Sequence, residues 1–163
     1  MSIKAVIGDY KIFLEKIFSN LKSAGFEIGE FKELDHIGYR VENLERYYEL
    51  KKSLAEFCEK ISDKEFAGRP VLVCKLKEPL NYGEFKIEGI EVLAPKEDNK
   101  FEEGLEHAEF VTKTTLPEFL EKHKNITFNL VAYDRKENPE LVLEFENCAV
   151  KFHEQSLLRV RGM

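Results

Sequence analysis

The sequence predicts an α+β fold in which two βαβββ modules form one curved, barrel-like mixed sheet. Three observations predict it: segments that alternate apolar and polar residues, amphipathic helical patterns between them, and the same element order in each half of the chain. Alternation with a period of two is typical of strands with one buried face. Two copies of one unit usually share a sheet or barrel. Helices are expected on its outer face, after an N-terminal helical extension.

The first 41 residues predict a helix followed by a strand. Apolar residues at i, i+3 and i+4 spacing favour a helix over 9–24, with Asp9 as its N-cap and Gly25 just beyond its end. A strand is predicted over 34–41, because alternate residues there are apolar. The helix precedes the first module and is expected to pack on the outside of the sheet.

The rest of the first module is predicted as a helix and three strands. Asn43 can cap the helix, and apolar spacing from Tyr47 to Ile61 predicts that the helix ends only shortly before Gly68. The strands are predicted over 71–76, 84–87 and 89–93, with a turn at 78–83. A charged connecting loop is then expected over 94–104.

The second half repeats this order. A strand over 106–112 precedes the capping-box pair Thr115 and Glu118, which opens a short helix. Three more strands are predicted, over 126–132, 141–145 and 148–153. We therefore expect one domain, 1–163. Its parts are an N-terminal extension (1–33), a first module (34–94) and a second module (106–154).

Size, charge and cysteine content exclude several classes of protein. The 163 residues suit one domain, and a net charge of −6 argues against a nucleic-acid partner, because phosphates would be repelled. No run approaches the ~18 apolar residues of a membrane helix, and no signal-peptide pattern opens the chain. Cys58, Cys74 and Cys148 are widely spaced and odd in number, which predicts buried or free thiols in a reducing compartment. A cytoplasmic location is expected.

Histidine occupies the same kind of position in three predicted strands. His36, His107 and His153 each lie on the polar face of a strand whose other face is apolar. The same polar faces also carry Gly38, Arg40, Glu109 and Lys151. A sheet that curls so that these faces converge would gather the imidazoles into one pocket of the size that a metal ion needs.

The repeated βαβββ unit, with an inward histidine on each first strand, resembles the vicinal oxygen chelate superfamily. That superfamily includes glyoxalase I, extradiol dioxygenases, methylmalonyl-CoA epimerase and fosfomycin-resistance proteins. Its YecM-type members have an N-terminal helical extension and carry five short motifs in the order found here. The motifs are Leu34-Asp35-His36-Ile37, Gly68-Arg69-Pro70, Lys75-Leu76 with Glu78-Pro79, Glu106-His107, and Lys151-Phe152-His153. The resemblance covers about residues 10–157 and implies the fold more directly than a reaction.

The resemblance implies a metal on the concave face, held by the first and last strands of each unit. Carried onto this sequence, the ligands are His36 and His107 from the first strands and Glu91 from the last strand of the first module. Where the superfamily usually has a last-strand carboxylate in the second unit, this chain has Lys151, so His153 has to substitute or the site is incomplete. Such a donor set suits a divalent Zn, Ni, Mn or Fe ion.

A metal at this position would polarise adjacent oxygens of a small anionic substrate as a Lewis acid. Whichever of Glu109 and Glu91 is not a ligand could act as general base, and Glu109 is the catalytic candidate. Arg40, Arg69 and Lys151 are candidates for binding the anion, since guanidinium and ammonium groups pair with carboxylates. The structural alternative is that Glu109 and Lys151 only pair with each other across neighbouring strands.

Three functions therefore stay open. The first is a metal-dependent enzyme of the vicinal oxygen chelate type, with isomerase, lyase or oxidoreductase chemistry on a small oxygen-rich anion. The second is a non-catalytic protein that binds a small molecule or metal in the same cavity, which Lys151 somewhat favours. The third is a structural or partner-binding module whose histidines are only buried. A monomer and a homodimer both fit, with no nucleic-acid or membrane partner.

Overall fold

The computed structural model describes residues 1–96 and 102–163 and has a mixed α+β architecture built on a curved, unclosed sheet. Its helices are α1 (Ile3–Ile7), α2 (Tyr10–Ser23), α3 (Leu44–Leu54), α4 (Leu116–Lys122) and α5 (Leu157–Val160). Its strands are β1 (Phe31–Arg40), β2 (Cys58–Phe66), β3 (Arg69–Tyr82), β4 (Phe85–Leu93), β5 (Gly104–Thr112), β6 (Leu141–Phe145) and β7 (Cys148–His153). The predicted fold class is confirmed.

The seven strands lie in the order β2-β3-β4-β1-β5-β7-β6. The first and last strands of each module are parallel neighbours, β1 with β4 and β5 with β7. An antiparallel pair, β1 with β5, joins the two modules at the centre of the sheet. This topology places the two histidine-bearing first strands side by side.

The N-terminal helices cover the apolar face of the sheet. Asp9 caps α2 by accepting a hydrogen bond from the Lys11 amide, as predicted, and α2 buries Leu14, Ile17 and Leu21. Aromatic rings of the strands, among them Phe110 and Phe152, pack in the same core. Of the helices in the described parts of the chain, none has the length and apolar character needed to cross a membrane.

The predicted extension of the second helix to Ile61 is wrong. Helix α3 begins after its N-cap Asn43, as expected, but ends at Leu54, and residues 58–66 form strand β2. Strand β2 is a mostly exposed edge strand rich in charged side chains, so it lacks the clean alternation of a half-buried strand. The helical spacing of apolar residues across its start therefore misled the prediction.

The other strand boundaries also differ from those predicted. The predicted turn at 78–83 largely belongs to the long strand β3, and the two short strands predicted over 84–93 are one strand, β4. Residues 126–132 are not a strand: they make one antiparallel bridge, between Asn129 and Val142. The Asn129 side chain accepts a hydrogen bond from the Val131 amide, and this turn diverts the chain from the sheet. Residues 97–101 of the predicted 94–104 loop lie outside the described residues.

The prediction of three thiols is wrong for two of the cysteines. Cys58 in β2 and Cys74 in β3 form a disulfide with a Cα–Cα distance of 5.7 Å, which lies in the usual range. Cys148 is a buried free thiol. Because disulfides are rare in the cytosol, the pairing removes the support that three thiols gave to the predicted cytoplasmic location.

Candidate metal centre

Cross-strand register brings four polar side chains together at the centre of the sheet. His36 on β1 lies opposite Glu109 on β5, and Gly38 on β1 lies opposite His107. On the other side of β1, Gly38 pairs with Glu91 of β4. The four side chains are therefore contributed by three adjacent strands, and each is at most 8% exposed.

Small residues make the space that the two imidazoles occupy. A Cβ atom on Gly38 would lie 2.0 Å from Cε1 of His107, so that ring lies directly over the glycine backbone. A Cβ atom on Gly89, which pairs with His36, would lie 2.7 Å from the Cβ of His36. Ala149 of β7 flanks His107 on its other side. Bulky ligands thus alternate with small residues across the sheet.

The separations of the four ligand atoms match those around a bound metal ion. Glu91 Oε2 lies 3.1 Å from His107 Nε2 and 3.8 Å from His36 Nε2. Glu109 Oε1 lies 3.3 Å from His36 Nε2 and 3.4 Å from His107 Nε2. Two atoms that each lie ~2.1 Å from a tetrahedral metal are about 3.4 Å apart. These side chains could therefore hold one divalent ion, since all four ligand atoms lie within 4.8 Å of one another.

Three of these atoms are buried without a hydrogen-bond partner: His36 Nε2, His107 Nε2 and Glu91 Oε2. Buried polar atoms are nearly always hydrogen-bonded, and leaving one unpaired costs about 1–3 kcal/mol. Here the unpaired atoms face one another. A metal ion between them would satisfy all three.

Each histidine is oriented by the acidic residue that precedes it in the sequence. His36 Nδ1 lies 2.8 Å from Asp35 Oδ2, and His107 Nδ1 lies 2.5 Å from Glu106 Oε2. Metal-binding histidines commonly donate the second ring N–H to a carboxylate, which leaves Nε2 free for the metal. Both acids are extra residues at irregularities of the β1–β5 register, between Leu34 and His36 and across from Gly38 and Tyr39. Such bulges redirect side chains that strict alternation would place on the opposite face.

Glu109 is held by basic groups on both of its oxygens. His153 Nε2 lies 2.5 Å from Glu109 Oε2, and Lys151 Nζ lies 3.3 Å from Glu109 Oε1. The short contact to His153 is a hydrogen bond, since two ligands of one metal would be about 3.4 Å apart. His153 Nδ1 faces the Pro139 carbonyl at 3.2 Å, and its Nε2 also approaches Glu140 Oε2 at 3.5 Å.

The charges of the cluster shift its pKa values strongly. Burial lowers the pKa of His36, but the charge of Glu109 and the hydrogen bond with Asp35 raise it well above its usual value. Burial and Lys151 lower the pKa of His107, but Glu106, Glu109 and Glu91 raise it to about 9. In the metal-free protein both imidazoles are therefore protonated near neutral pH.

The same charged groups lower the pKa values of the two carboxylates, Glu109 and Glu91. Burial raises the pKa of Glu109, but His36, His153 and Lys151 lower it well below its usual value. Burial likewise raises the pKa of Glu91, but contacts with His107 and His36 lower it more strongly. Both therefore stay ionised, which is the form that binds a metal or accepts a proton.

The predicted anion-binding side chains lie at the edge of this cluster. Arg40 Nη2 pairs with Glu106 Oε1 at 3.1 Å, and its side chain is 27% exposed. Arg69 Nη1 donates to the Ala94 carbonyl at 3.2 Å, and burial together with the charge of Arg40 lowers the pKa of Arg69. The side chain of Lys151 is 21% exposed. These basic side chains are thus more exposed than the cluster, whose four members are at most 8% exposed.

The structure shows which of the predicted site residues lie together, and their roles stay predictions. Of the four predicted metal ligands, the structure brings together His36, Glu91 and His107, and joins Glu109 to them. His153 contacts the other oxygen of Glu109 and lies in a second group, with Glu140, that could also hold a metal ion. Asp35 and Glu106 were not singled out. The signal that could have found them is an acidic residue directly before the inward histidine of each module.

Comparison with known proteins identifies the fold and the family. A family model described as YecM protein matches residues 2–161. The structure of Protein EC4020, solved by structural genomics, has a TM-score of 0.72 and 22% identity, and the match covers 92% of this chain and 86% of that one. Methylmalonyl-CoA epimerase from Mycobacterium tuberculosis has a TM-score of 0.52 and 11% identity, and its match covers 80% of this chain and 93% of that one.

No curated protein matches this chain significantly. The solved structures, each under 25% identical to this chain, show the fold that it shares with Protein EC4020 and with methylmalonyl-CoA epimerase. The family match spans nearly the whole chain, including the N-terminal helices and the histidine-bearing strands. This chain belongs to the YecM family.

Proposed function

We propose that this protein is a metal-dependent enzyme of the vicinal oxygen chelate type that acts on a small, oxygen-rich anion. His36, His107 and Glu91 hold one divalent ion, and Glu109 is the general base beside it. A face of two histidines and one carboxylate with open positions suits Fe(II) or Mn, and Zn or Ni also accept these donors. The fold of structural neighbours supports an enzyme of this kind without naming its reaction.

One observation carries the proposal: three ligand atoms from three strands are buried and unpaired at the separations that a metal ion requires. Glu109 is not among the unpaired atoms, because His153 and Lys151 contact its two oxygens. This difference supports Glu91 as the carboxylate ligand and Glu109 as the proton-transfer group. When bound, the metal would act as a Lewis acid on substrate oxygens.

The side chains of this chain supply the remaining steps. Glu109 accepts a proton at Oε1, the oxygen that faces both histidines, and His153 holds the other oxygen in place. Lys151 and Arg69 bind the negative group of the substrate on the basic side of the cluster. Arg40 supports His107 through Glu106 and adds positive charge to the same region.

Metal content tests this proposal directly. Protein purified without a tag is expected to contain about one equivalent of metal by elemental analysis, because the three ligands form one site. The double variant His36→Ala/His107→Ala should contain none. His123→Gln is the matched control, because His123 lies outside the cluster and bonds Glu30. Equal metal content in the double variant and the wild type would contradict the proposal, as would absence of metal from both after incubation with each of the four candidate ions.

Removal of the Lys151 charge should tighten metal binding. Lys151→Met removes an ammonium group 3.3 Å from Glu109, so the variant no longer repels an incoming cation, and we expect about a tenfold lower Kd for Zn²⁺. Lys124→Met is the control, since that lysine is exposed and remote from the cluster. Chelator competition measures both. An unchanged or weaker affinity in Lys151→Met would show that this lysine does not oppose the metal.

A binding protein is the second candidate function, and Lys151 is the observation that favours it. Its ammonium group contacts the carboxylate that would act as base and occupies the strand position where enzymes of this fold usually carry a carboxylate. Screening of small carboxylates with the metal-loaded protein separates the two functions. Turnover supports the enzyme, whereas tight binding of a carboxylate with no turnover supports the binding protein.

A further inference from the structure

We propose that the C-terminal segment, residues 156–163, helps to orient a ligand of the metal centre. Ser156 is the positioning residue, and it acts on His36 through Asp35. The inference rests on the proposed metal site and extends it to a segment of the chain that contributes no ligand. Metal binding and docking of this segment are then thermodynamically coupled.

The coupling runs through one buried carboxylate. Asp35 is 5% exposed, and its Oδ2 lies 2.8 Å from His36 Nδ1. The same Oδ2 accepts a hydrogen bond from the Leu157 amide at 2.9 Å, and the Ser156 hydroxyl donates to Oδ1. Asp35 therefore has only one orientation that satisfies all three donors. That orientation aims His36 Nε2 at the other ligands.

The segment also packs against the backbone beside His36. Leu158 is 4% exposed, and its Cδ2 lies 3.3 Å from the position that a Cβ on Gly89 would take. Gly89 pairs with His36 across β1 and β4. Leu158 thus fills the space that the glycine leaves, and the segment is fixed at the site by an apolar contact as well as by hydrogen bonds.

The carboxylate that bonds the second histidine, His107, has different partners from Asp35. Glu106, which bonds His107, pairs with Arg40 of the neighbouring strand β1, so both members of that pair belong to the sheet. Asp35 is instead paired with a segment that follows the last strand and contains a short helix, α5. Loss of a group that orients a metal ligand typically reduces metal affinity about 10–100-fold. The His36 side of the site is therefore the side that the chain terminus controls.

Zinc affinity of full-length variants tests the inference. Ser156→Ala is expected to weaken Zn²⁺ binding about 10–100-fold in chelator competition, while Ser156→Thr, which keeps the hydroxyl donor, stays near wild type. Ser156 also caps α5 by accepting from the Arg159 amide, so helix stability needs its own control. Arg161→Ala removes the bond from this segment to Ser62 and leaves Asp35 untouched. It should weaken Zn²⁺ binding much less than Ser156→Ala does, because Asp35 keeps both of its contacts with the segment.

A double-mutant cycle separates positioning from general stability. In an Asp35→Ala background, Ser156→Ala should cause little further loss of affinity, because its route to His36 is already gone. Hydrogen exchange gives a readout that does not depend on this variant. By reciprocity of coupling, Zn²⁺ should slow exchange of the Leu157 amide in the wild type but not in His36→Ala.

The outcomes are distinct. If the wild type binds Zn²⁺ and His36→Ala does not, yet Ser156→Ala binds as tightly as the wild type, the inference fails and the proposed metal site stands. The inference also fails if the effects of Ser156→Ala and Asp35→Ala on affinity are additive, or if Zn²⁺ leaves exchange at Leu157 unchanged. If the wild type binds none of the candidate metals, both proposals fail.

Discussion

Substitution of Gly38 with alanine is expected to abolish metal binding and to destabilise the fold. The new Cβ would lie 2.0–2.4 Å from three atoms of the His107 ring, far inside contact distance. The ring cannot simply turn away, because it is fully buried and its Nδ1 bonds Glu106. We expect a loss of about 1–3 kcal/mol in the free energy of unfolding. Metal affinity should fall more than about a hundredfold, because a ligand moves rather than one of its supports.

Two comparisons isolate the cause of that loss. Gly29→Ala is the matched control, because a Cβ there meets no atom within 4 Å, and its stability should match the wild type. In a His107→Ala background the ring is absent, so Gly38→Ala should cost much less than it does alone. Chemical denaturation of the metal-free proteins measures both. Equal costs of Gly38→Ala in the two backgrounds would mean that strand β1, and not the ring, resists the new methyl group.

Alternation along the strands was enough to predict which residues face the centre of the candidate site. It did not predict the contacts that surround them. His36, His107, Glu91 and Glu109 could be assigned to polar faces because a strand places every second residue on the same side. The sheet order then had to bring β4, β1 and β5 together, and the repeated unit made that expectation reasonable. The role of His153 could not be predicted, because its distance to Glu109 depends on rotamers and not on strand position.

Asp35 and Glu106 show where pattern reasoning fails for a physical reason. Strict alternation assigns each of them to the face opposite its histidine, yet both bond that histidine. Each lies where the β1–β5 register shifts by one residue, and no periodic pattern in the sequence predicts such a shift. The prediction of strand β2 failed for a different reason. As an exposed edge strand it buries too little surface to impose a pattern on its sequence.

Metal affinity is expected to depend steeply on pH. In the metal-free protein His36 and His107 are both protonated at neutral pH, because neighbouring carboxylates hold their pKa values above 6.5, that of His107 at about 9. Binding one metal ion must therefore release two protons. As pH rises towards about 9, the pKa of His107, the Kd for Zn²⁺ should fall by up to about a hundredfold for each pH unit. Calorimetry in buffers of different ionisation enthalpy would count the protons released.

The stability of the metal-free protein and that of the metal-loaded protein should respond differently to pH. A histidine whose pKa is raised on folding stabilises the protein fully below its unfolded pKa of about 6.5, and that contribution is lost as pH rises through the folded value. The metal-free protein should therefore lose stability between pH 6.5 and about 9, the pKa of His107. The metal-loaded protein should not, because the ion replaces both protons. The His36→Ala/His107→Ala variant should show a smaller decline, because it keeps only His153, whose pKa is lowered by burial but raised overall by Glu109. A decline in that variant equal to the wild type's would assign the effect to other groups.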